Sequence, residues 1–223
     1  SRAVTCAVKV LPAMAVVRRP VELIALSTTA VAGSTFTAQV TARDTLLAAG
    51  IQGSTVSFMF RGSTHTAQTD ASGIADTVFT APGSTGTYAV AADFDGGGLY
   101  AFISTTIFVD VTGRPAEIVA PAFSAYVSSG VTLYATLYDK NSALPITGAT
   151  MRFTFDGVMR SGVTNSSGTA EADFTTTASS GSYTYQVNSL PSEEYLAAEA
   201  NALVNVKFYE TAIQTSEQES NKL

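Results

Sequence analysis

The sequence has little of what catalytic sites and cross-linked domains need. Among its 223 residues there is one cysteine, Cys6, one histidine, His65, and no tryptophan. A single cysteine excludes an internal disulfide. A structural zinc site needs several His or Cys ligands, and a Ser–His–Asp hydrolase needs a positioned histidine. We therefore predict neither an enzyme nor a zinc centre and expect no cofactor, and we interpret Cys6 as a small packing residue.

Charge is also scarce, and its balance is acidic. Charged residues make up 13% of the chain, with 12 Lys and Arg against 18 Asp and Glu. No basic stripe is present to neutralise phosphates, so we predict no nucleic-acid partner. No apolar run reaches the roughly 18 residues that a membrane helix needs, so no transmembrane segment is predicted. The Ser- and Thr-rich, Lys-poor composition is typical of extracellular or cell-surface proteins, and we expect a mature chain or a fragment.

The sequence repeats itself at a spacing of 95 residues without a gap. Arg19–Ala25 returns as Arg114–Ala120, and Ser72–Ala75 returns as Ser167–Ala170. The single residues that return are Asp44 as Asp139, Ile51 as Ile146, Phe58 as Phe153, Gly86 as Gly181 and Tyr100 as Tyr195. Such self-similarity defines a tandem array. We predict a leader over residues 1–18, repeat 1 over 19–113, repeat 2 over 114–208 and a C-terminal tail over 209–223.

By the 95-residue spacing, the leader lies at the position of a last strand of a repeat. Ala101–Gly113, which precedes repeat 2, is predicted to be the last strand of repeat 1, and residues 1–18 precede repeat 1 in the same way. The short apolar part of the leader consists of Cys6, Ala7, Val8, Lys9, Val10 and Leu11. Three interpretations stay open: the end of a preceding repeat, a donor strand that pairs with another molecule, and a disordered leader.

Within each repeat the hydrophobic period is two. Thr35–Thr41 and Val131–Leu137 alternate apolar and polar residues, which is typical of strands with one buried face. Turn signals interrupt these runs about every 8 to 12 residues, so we predict seven short strands per repeat. The predicted fold class is all-β, with two tandem immunoglobulin-like β-sandwich domains. The helix-like stretch Glu193–Ala202 aligns with a loop in repeat 1, so we predict a loop that leads into the last strand.

Four polar side chains are predicted to shape turns. Asp70 and Asn165 each precede a Ser-Gly pair and can accept a hydrogen bond from the backbone two residues on. We interpret both segments as hairpin turns. Asp44 and Asp139 precede a loop in both repeats, and we expect them to anchor it.

The chain resembles the bacterial immunoglobulin-like repeats of intimin- and invasin-type surface proteins. The residues that carry the resemblance in repeat 1 are Ile51, Gly53, Val56, Phe58, Thr69, Asp70, Ser72, Gly73, Ala75, Gly86 and Tyr88. Repeat 2 keeps most of them, with Asn165 in place of Asp70. The resemblance implies a stalk that holds a binding tip away from a cell. Because the shared residues are turn and core positions, it implies the fold more strongly than the function.

Two polar segments are candidate ligand or modification sites. Asp93 and Asp95 precede three glycines and offer oxygen ligands of the kind that calcium prefers, but repeat 2 has no carboxylate there. We therefore favour an exposed glycine-rich loop and keep the two aspartates as weak calcium candidates. Asn165 begins an Asn-Ser-Ser glycosylation acceptor, which matters only if the protein is secreted by a eukaryote.

The function expected from these patterns is structural. We predict a repeat module of an extracellular surface or filament-forming protein, acting as a rod or assembly subunit, whose partners are other copies or repeats of the same protein. The alternative is an adhesin module that binds a protein or carbohydrate ligand through its loop tips. Phe94, Tyr100 and Tyr195 are the aromatic candidates for such contacts, although the recurrence of the two tyrosines equally predicts core packing.

Overall fold

The structure, a computed structural model, describes residues 17–210. These residues form strands, turns and irregular segments, and none of them forms a helix that could cross a membrane. The chain divides into two compact units, the first formed mainly by residues up to Val111 and the second mainly by residues from Thr112 onward. Each unit is a sandwich of two sheets, so the predicted fold class of two tandem immunoglobulin-like β-sandwiches is confirmed.

The first sandwich contains nine strands. They are β1 (Val21–Ala25), β2 (Thr28–Val31), β3 (Thr35–Asp44), β4 (Ala49–Gly50), β5 (Thr55–Phe60), β6 (Ser63–Gln68), β7 (Ile74–Thr80), β8 (Gly86–Asp95) and β9 (Ile103–Thr112). In one sheet, β3 pairs with β1, β4 and β7. The facing sheet has the order β2-β9-β8-β5-β6.

The second sandwich contains eight strands. They are β10 (Ala116–Val119), β11 (Phe123–Tyr126), β12 (Gly130–Asp139), β13 (Thr150–Phe155), β14 (Val158–Val163), β15 (Thr169–Thr175), β16 (Gly181–Ser189) and β17 (Glu199–Lys207). The two sheets have the orders β10-β12-β15 and β11-β17-β16-β13-β14. The strands β11 and β17 run parallel, with Phe123 opposite Val204.

The strand count exceeds the predicted seven for a simple reason. The first strand of each repeat is broken, and its two halves join opposite sheets: β1 pairs with β3, while β2 lies beside β9. In repeat 2 the break contains Pro121, which has no N–H to donate to a continuous ladder. The two-residue β4 is the remaining additional strand of repeat 1.

Alternation along the strands fills both cores. Over its ten residues, β3 alternates exposed and buried side chains almost without interruption. The fully buried large side chains of repeat 1 include Phe58, Phe94 and Ile107. In repeat 2 they include Phe153 and Tyr185. Burial of such aliphatic and aromatic side chains is the main favourable contribution to folding.

The Asp70 turn connects two sheets. Ser72 N–H donates to Asp70 Oδ1 at 2.8 Å, as the sequence predicted. The turn joins β6 to β7, however, and these strands lie in opposite sheets. The interpretation as a hairpin is therefore wrong, both here and at the equivalent Asn165 turn between β14 and β15. Gly73 has a φ of 81°, and a Cβ there would clash with the carbonyl oxygen of Ala42, so only glycine fits.

The register also predicted the last strands correctly. Strand β9 lies within the predicted segment Ala101–Gly113. The helix-like stretch that begins at Glu193 is irregular until β17 begins at Glu199. The preceding β16 supplies the antiparallel neighbour for β17, so sheet pairing overrides the local helix propensity.

Candidate functional site

The first residue of each repeat is bonded to the segment that leads into the last strand. Arg19 N–H donates to the carbonyl oxygen of Leu99 at 2.9 Å, and its own carbonyl oxygen accepts from the N–H of Ala101 at 2.9 Å. Arg114 makes the same two contacts, with Glu194 at 2.7 Å and Leu196 at 2.9 Å. Each repeat is therefore closed at its start by backbone pairing.

The side chains of these arginines complete a three-residue arrangement that we call the Arg–Asp–Tyr cluster. In repeat 1, Arg19 Nη2 lies 2.7 Å from Asp44 Oδ2, and the guanidinium carbon lies 5.6 Å from the ring centroid of Tyr100. This geometry combines an ion pair with a cation–π contact.

The cluster of repeat 2 has the same geometry and one additional partner. Arg114 Nη2 lies 2.6 Å from Asp139 Oδ2, and the guanidinium carbon lies 5.3 Å from the ring centroid of Tyr195. Arg114 Nη1 also donates to Glu194 Oε1 at 3.0 Å, although that glutamate is half exposed. The Asp139 side chain is 1% exposed, so the ion pair is held at the edge of the core.

The buried aspartates also anchor the following loop, as predicted. Asp139 Oδ1 accepts hydrogen bonds from the N–H groups of Asn141 and Ser142, both at 2.9 Å. Burial raises the pKa of Asp139, but the N–H groups of Ser142 and Asn141 and the charge of Arg114 together lower it more, so the pKa lies below its usual value. The pKa of Asp44 is lowered in the same way, against the opposing effect of burial.

The cluster therefore joins three parts of a repeat: its first residue, the end of a ten-residue central strand (β3 or β12) and the segment before its last strand. Every member of the cluster recurs at the 95-residue spacing, so the sequence contained the signal. Arg19, Asp44 and Tyr100 could not be grouped from the sequence, because spacing alone does not show which residues are in contact. The arrangement serves to hold the first strand of the repeat to its body.

The weak calcium candidates lie on the outer face of β8. Asp93 and Asp95 alternate with the buried Phe94, and Asp95 Oδ1 accepts a hydrogen bond from the N–H of Gly97 at 3.1 Å. Within residues 17–210, no group of three His, Cys, Asp or Glu side chains could hold a metal ion. These two carboxylates alone fall short of the six to eight oxygen ligands that calcium takes.

The loop-tip role predicted for Phe94 is wrong. Strand β8 continues to Asp95, so Phe94 points into the core and its ring has no exposed surface. Tyr100 and Tyr195 are half-buried and lie beneath the arginines of the clusters. All three aromatic candidates therefore have packing roles within their own sandwich.

The remaining polar candidates lie in exposed positions. Asn165 is exposed, and its Oδ1 accepts hydrogen bonds from Ser167 N–H at 2.9 Å and Thr169 N–H at 3.1 Å. Its glycosylation stays a prediction. The His65 ring stacks on Phe79 with centroids 4.5 Å apart and covers the edge of the core, which indicates a packing role.

The candidate donor strand, Cys6, Ala7, Val8, Lys9, Val10 and Leu11, lies outside the described residues. A donor strand from another molecule would be expected to occupy the position of a last strand in a sandwich. In repeat 1, β9 lies between β2 and β8, and in repeat 2, β17 lies between β11 and β16. Both positions are filled by the chain itself, so an incoming donor strand would need another site.

Known proteins similar to this chain are found among solved structures. No family model matches the chain, and no curated protein matches it. Among solved structures, the chain is similar to the titin domains Z1Z2 in complex with telethonin, with 17% identity over 85% of this chain and 98% of that one and a TM-score of 0.42.

Two bacterial adhesins are also among the similar structures. InvE of Yersinia pseudotuberculosis has 17% identity over 82% of this chain and 59% of its own length, with a TM-score of 0.37. Invasin, a bacterial integrin-binding protein, has 16% identity over 85% of this chain and 39% of its own length, with a TM-score of 0.41. Similarity at this level carries no information on function.

Proposed function

We propose that this chain is a non-enzymatic structural module of an extracellular surface or filament-forming protein. Its repeats, residues 19–113 and 114–208, act as a rod or as an assembly subunit. The observation that carries the proposal is the Arg–Asp–Tyr cluster, which recurs at the start of both repeats. In a linear array of domains, the first residues of each domain need to be held to the rest of that domain where the chain enters it.

The pairing of the terminal strands favours a load-bearing role. In repeat 2, β11 and β17 are parallel neighbours, from Phe123 opposite Val204 to Tyr126 opposite Lys207. A force that pulls the two ends of the repeat apart drives these strands past one another. Shear of this kind loads several hydrogen bonds together, whereas peeling would load them one at a time.

The buried carboxylates favour structure over catalysis. Asp44 and Asp139 are each held by an arginine and by two backbone N–H groups. A carboxylate held in this way is a poor general base, because its lowered pKa reduces its proton affinity. The adhesin alternative loses its main candidate residue, since Phe94 is buried.

Single-molecule pulling of the full chain between flexible linkers tests the proposal. We expect two separate unfolding events, one for each sandwich. Substitution Arg114→Ala should weaken one event and leave the other unchanged. Extension of the chain without any resolved unfolding force would overturn the load-bearing role.

A further inference from the structure

An apolar cleft opens at one end of the second sandwich. It has a volume of about 280 Å³ and lies where β16 ends and the segment before β17 begins. Its floor contains Leu137 and Ile146, which are 2% and 7% exposed. Its rim contains Leu190 and Leu196, which are 37% and 47% exposed, and Ser189 lies between floor and rim. The cleft therefore exposes aliphatic surface to an incoming group.

Three differences between the repeats converge on this cleft. At the 95-residue spacing, Ser189 stands where repeat 1 has the buried Phe94. The other two replacements are Asp95 by Leu190 and Ala101 by Leu196. One replacement removes an aromatic ring from the interior, and the other two add apolar surface at the rim.

The chemistry of the lining selects an uncharged apolar occupant. No charged side chain lines the cleft. Two of its hydroxyl groups already bind the local backbone, since Ser189 Oγ accepts from Ala198 N–H at 2.9 Å and Ser192 Oγ accepts from Tyr195 N–H at 3.0 Å. An enclosed apolar cavity of about 150 Å³ binds benzene, so this cleft has room for a phenyl ring.

Exposed aromatic rings lie at the opposite end of the same sandwich. Phe208 and Tyr209 follow the last residue of β17 and are 63% and 61% exposed. Tyr209 stacks on Tyr126 with ring centroids 4.5 Å apart. Val127 N–H donates to the carbonyl oxygen of Lys207 at 2.9 Å, which fixes the chain immediately before Phe208. At the 95-residue spacing, Gly113 and Arg114 stand at the positions of Phe208 and Tyr209, so no aromatic residues follow the last strand of repeat 1 at these positions.

We propose that Phe208 of one copy of this chain inserts into the cleft of a second copy. The inserted ring and the cleft lie at opposite ends of the nine-residue β17, about 30 Å apart. A contact between two different surfaces of identical chains is heterologous, and it propagates as an open chain unless its rotation closes a ring. The inference rests on the proposed function and names the contact by which an assembly subunit would join its neighbours.

Sedimentation velocity of the full chain, over concentrations up to about 1 mM, tests the contact. One ring in one cleft buries far less than the roughly 1,200 Å² of a stable complex, so we expect association that grows with concentration. Leu190→Asp places the residue of repeat 1 on the rim, and Phe208→Ser removes the ring. Both positions are exposed, so each variant should keep the thermal unfolding midpoint of the wild type. Phe102→Ser is the control, because Phe102 is similarly exposed, at 60%, and belongs to repeat 1.

The wild type and Phe102→Ser should form a series of oligomers, and each of the other two variants should stay monomeric. An equimolar mixture of Leu190→Asp and Phe208→Ser should form dimers and nothing larger, because the mixture contains one intact cleft and one intact ring per pair. A monomeric wild type, assembly by either single variant, or a mixture that stays monomeric would overturn the inference. If the wild type is monomeric but still shows two unfolding events under force, the contact fails and the proposed function stands.

Discussion

Repeat 1 and repeat 2 keep the same groups at the start of the sandwich and differ at particular positions of their interiors. In repeat 1, Phe94 of β8 faces Val56 of β5, and both are buried. In repeat 2 the equivalent pair is Ser189 and Met151. The larger side chain is on β8 in repeat 1 and on β13 in repeat 2. Ser189 is small, so part of the space that Phe94 fills in repeat 1 stays open in repeat 2. At this position the groups that fill space are exchanged, whereas the residues of the Arg–Asp–Tyr cluster are kept.

A second exchange places a hydroxyl in the core of repeat 2. Tyr185 stands where repeat 1 has Val90, and both side chains have no exposed surface. The Tyr185 hydroxyl donates to the carbonyl oxygen of Pro121 at 2.6 Å, at the break between β10 and β11. Its ring lies 5.7 Å from that of Phe123. Burial raises the pKa of Tyr185 to about 12, so repeat 2 contains a titratable group that repeat 1 lacks.

The largest effect should come from transferring the interior of repeat 2 into repeat 1. Phe94→Ser removes a fully buried ring and should lower the free energy of unfolding of repeat 1 by about 4 kcal/mol. Val56→Met should restore part of this loss in the double variant, since it supplies volume to the same site. Urea unfolding measures both values. A loss below about 1 kcal/mol would show that the site collapses freely and that the exchange of volumes has no energetic meaning.

The next effect should come from the Arg–Asp–Tyr cluster. Asp139→Ala removes the carboxylate beside Arg114 Nη2 and the acceptor of two backbone N–H groups, and we expect a loss of about 3 kcal/mol in repeat 2. Asp173→Ala is the control, because Asp173 is exposed and accepts a single hydrogen bond from Thr132. Equal losses from the two substitutions, measured by urea unfolding, would contradict a special role for the cluster.

The ion pair between Arg114 and Asp139 predicts that the stability of repeat 2 depends on pH in the acid range. Because the pKa of Asp139 is lower in the folded state, its contribution is complete above the ordinary value of about 3.9 and is lost as the pH falls through the folded value. The difference between the unfolding free energies of wild type and Asp139→Ala should therefore become smaller as the pH falls below about 3.9. A difference that stays constant down to pH 2 would mean that the charge contributes nothing.

A smaller difference in stability between the two repeats should appear at alkaline pH. Tyr185→Phe removes one buried hydrogen bond and should cost repeat 2 about 1 kcal/mol at neutral pH. Because the folded-state pKa is raised, the Tyr185 contribution is complete below about pH 10 and is lost as the pH rises toward 12. Repeat 2 of the wild type should therefore lose more stability across this range than repeat 2 of Tyr185→Phe. Equal alkaline losses in the two proteins would contradict the assignment.

The smallest effect should come from exchanging the turn residues. Asp70 and Asn165 accept the same two backbone hydrogen bonds, at distances between 2.8 and 3.1 Å. Asp70→Asn should therefore change the free energy of unfolding by less than about 0.5 kcal/mol. Asp70→Ala, which removes the oxygen that accepts both hydrogen bonds, should cost about 1 kcal/mol. An Asn variant as unstable as the Ala variant would show that the charge of Asp70 matters more than its geometry.

The sequence was sufficient for features that depend on local spacing. The 95-residue register predicted the two sandwiches and the last strands, and Asp70 and Asn165 bind the backbone as expected. A period of two shows which face of a strand is buried but not which sheet the strand joins, which is why the turn at Asp70 was misassigned. Phe94 was misplaced because the glycines after Asp95 suggested that the strand ended earlier.

The missing parts depend on side chains that meet across the fold. Arg19 and Asp44 are far apart in sequence, and their pairing appears only when β1 lies beside β3. The cleft at Ser189 depends on how completely the neighbouring side chains fill the space around it. A pattern of apolar and polar residues does not show this. In both cases the repeat alignment supplied the residues, and the structure supplied their contact.

The most direct test of the account is whether each repeat is a self-contained module closed by its own cluster. Hydrogen exchange of the full chain, read by mass spectrometry peptide by peptide, compares the wild type with Asp139→Ala. We predict that protection falls throughout β10–β17 in the variant while protection in β1–β9 stays unchanged. Parallel loss of protection in both repeats would contradict it, because the chain would then be one cooperative unit and not a tandem of independent modules.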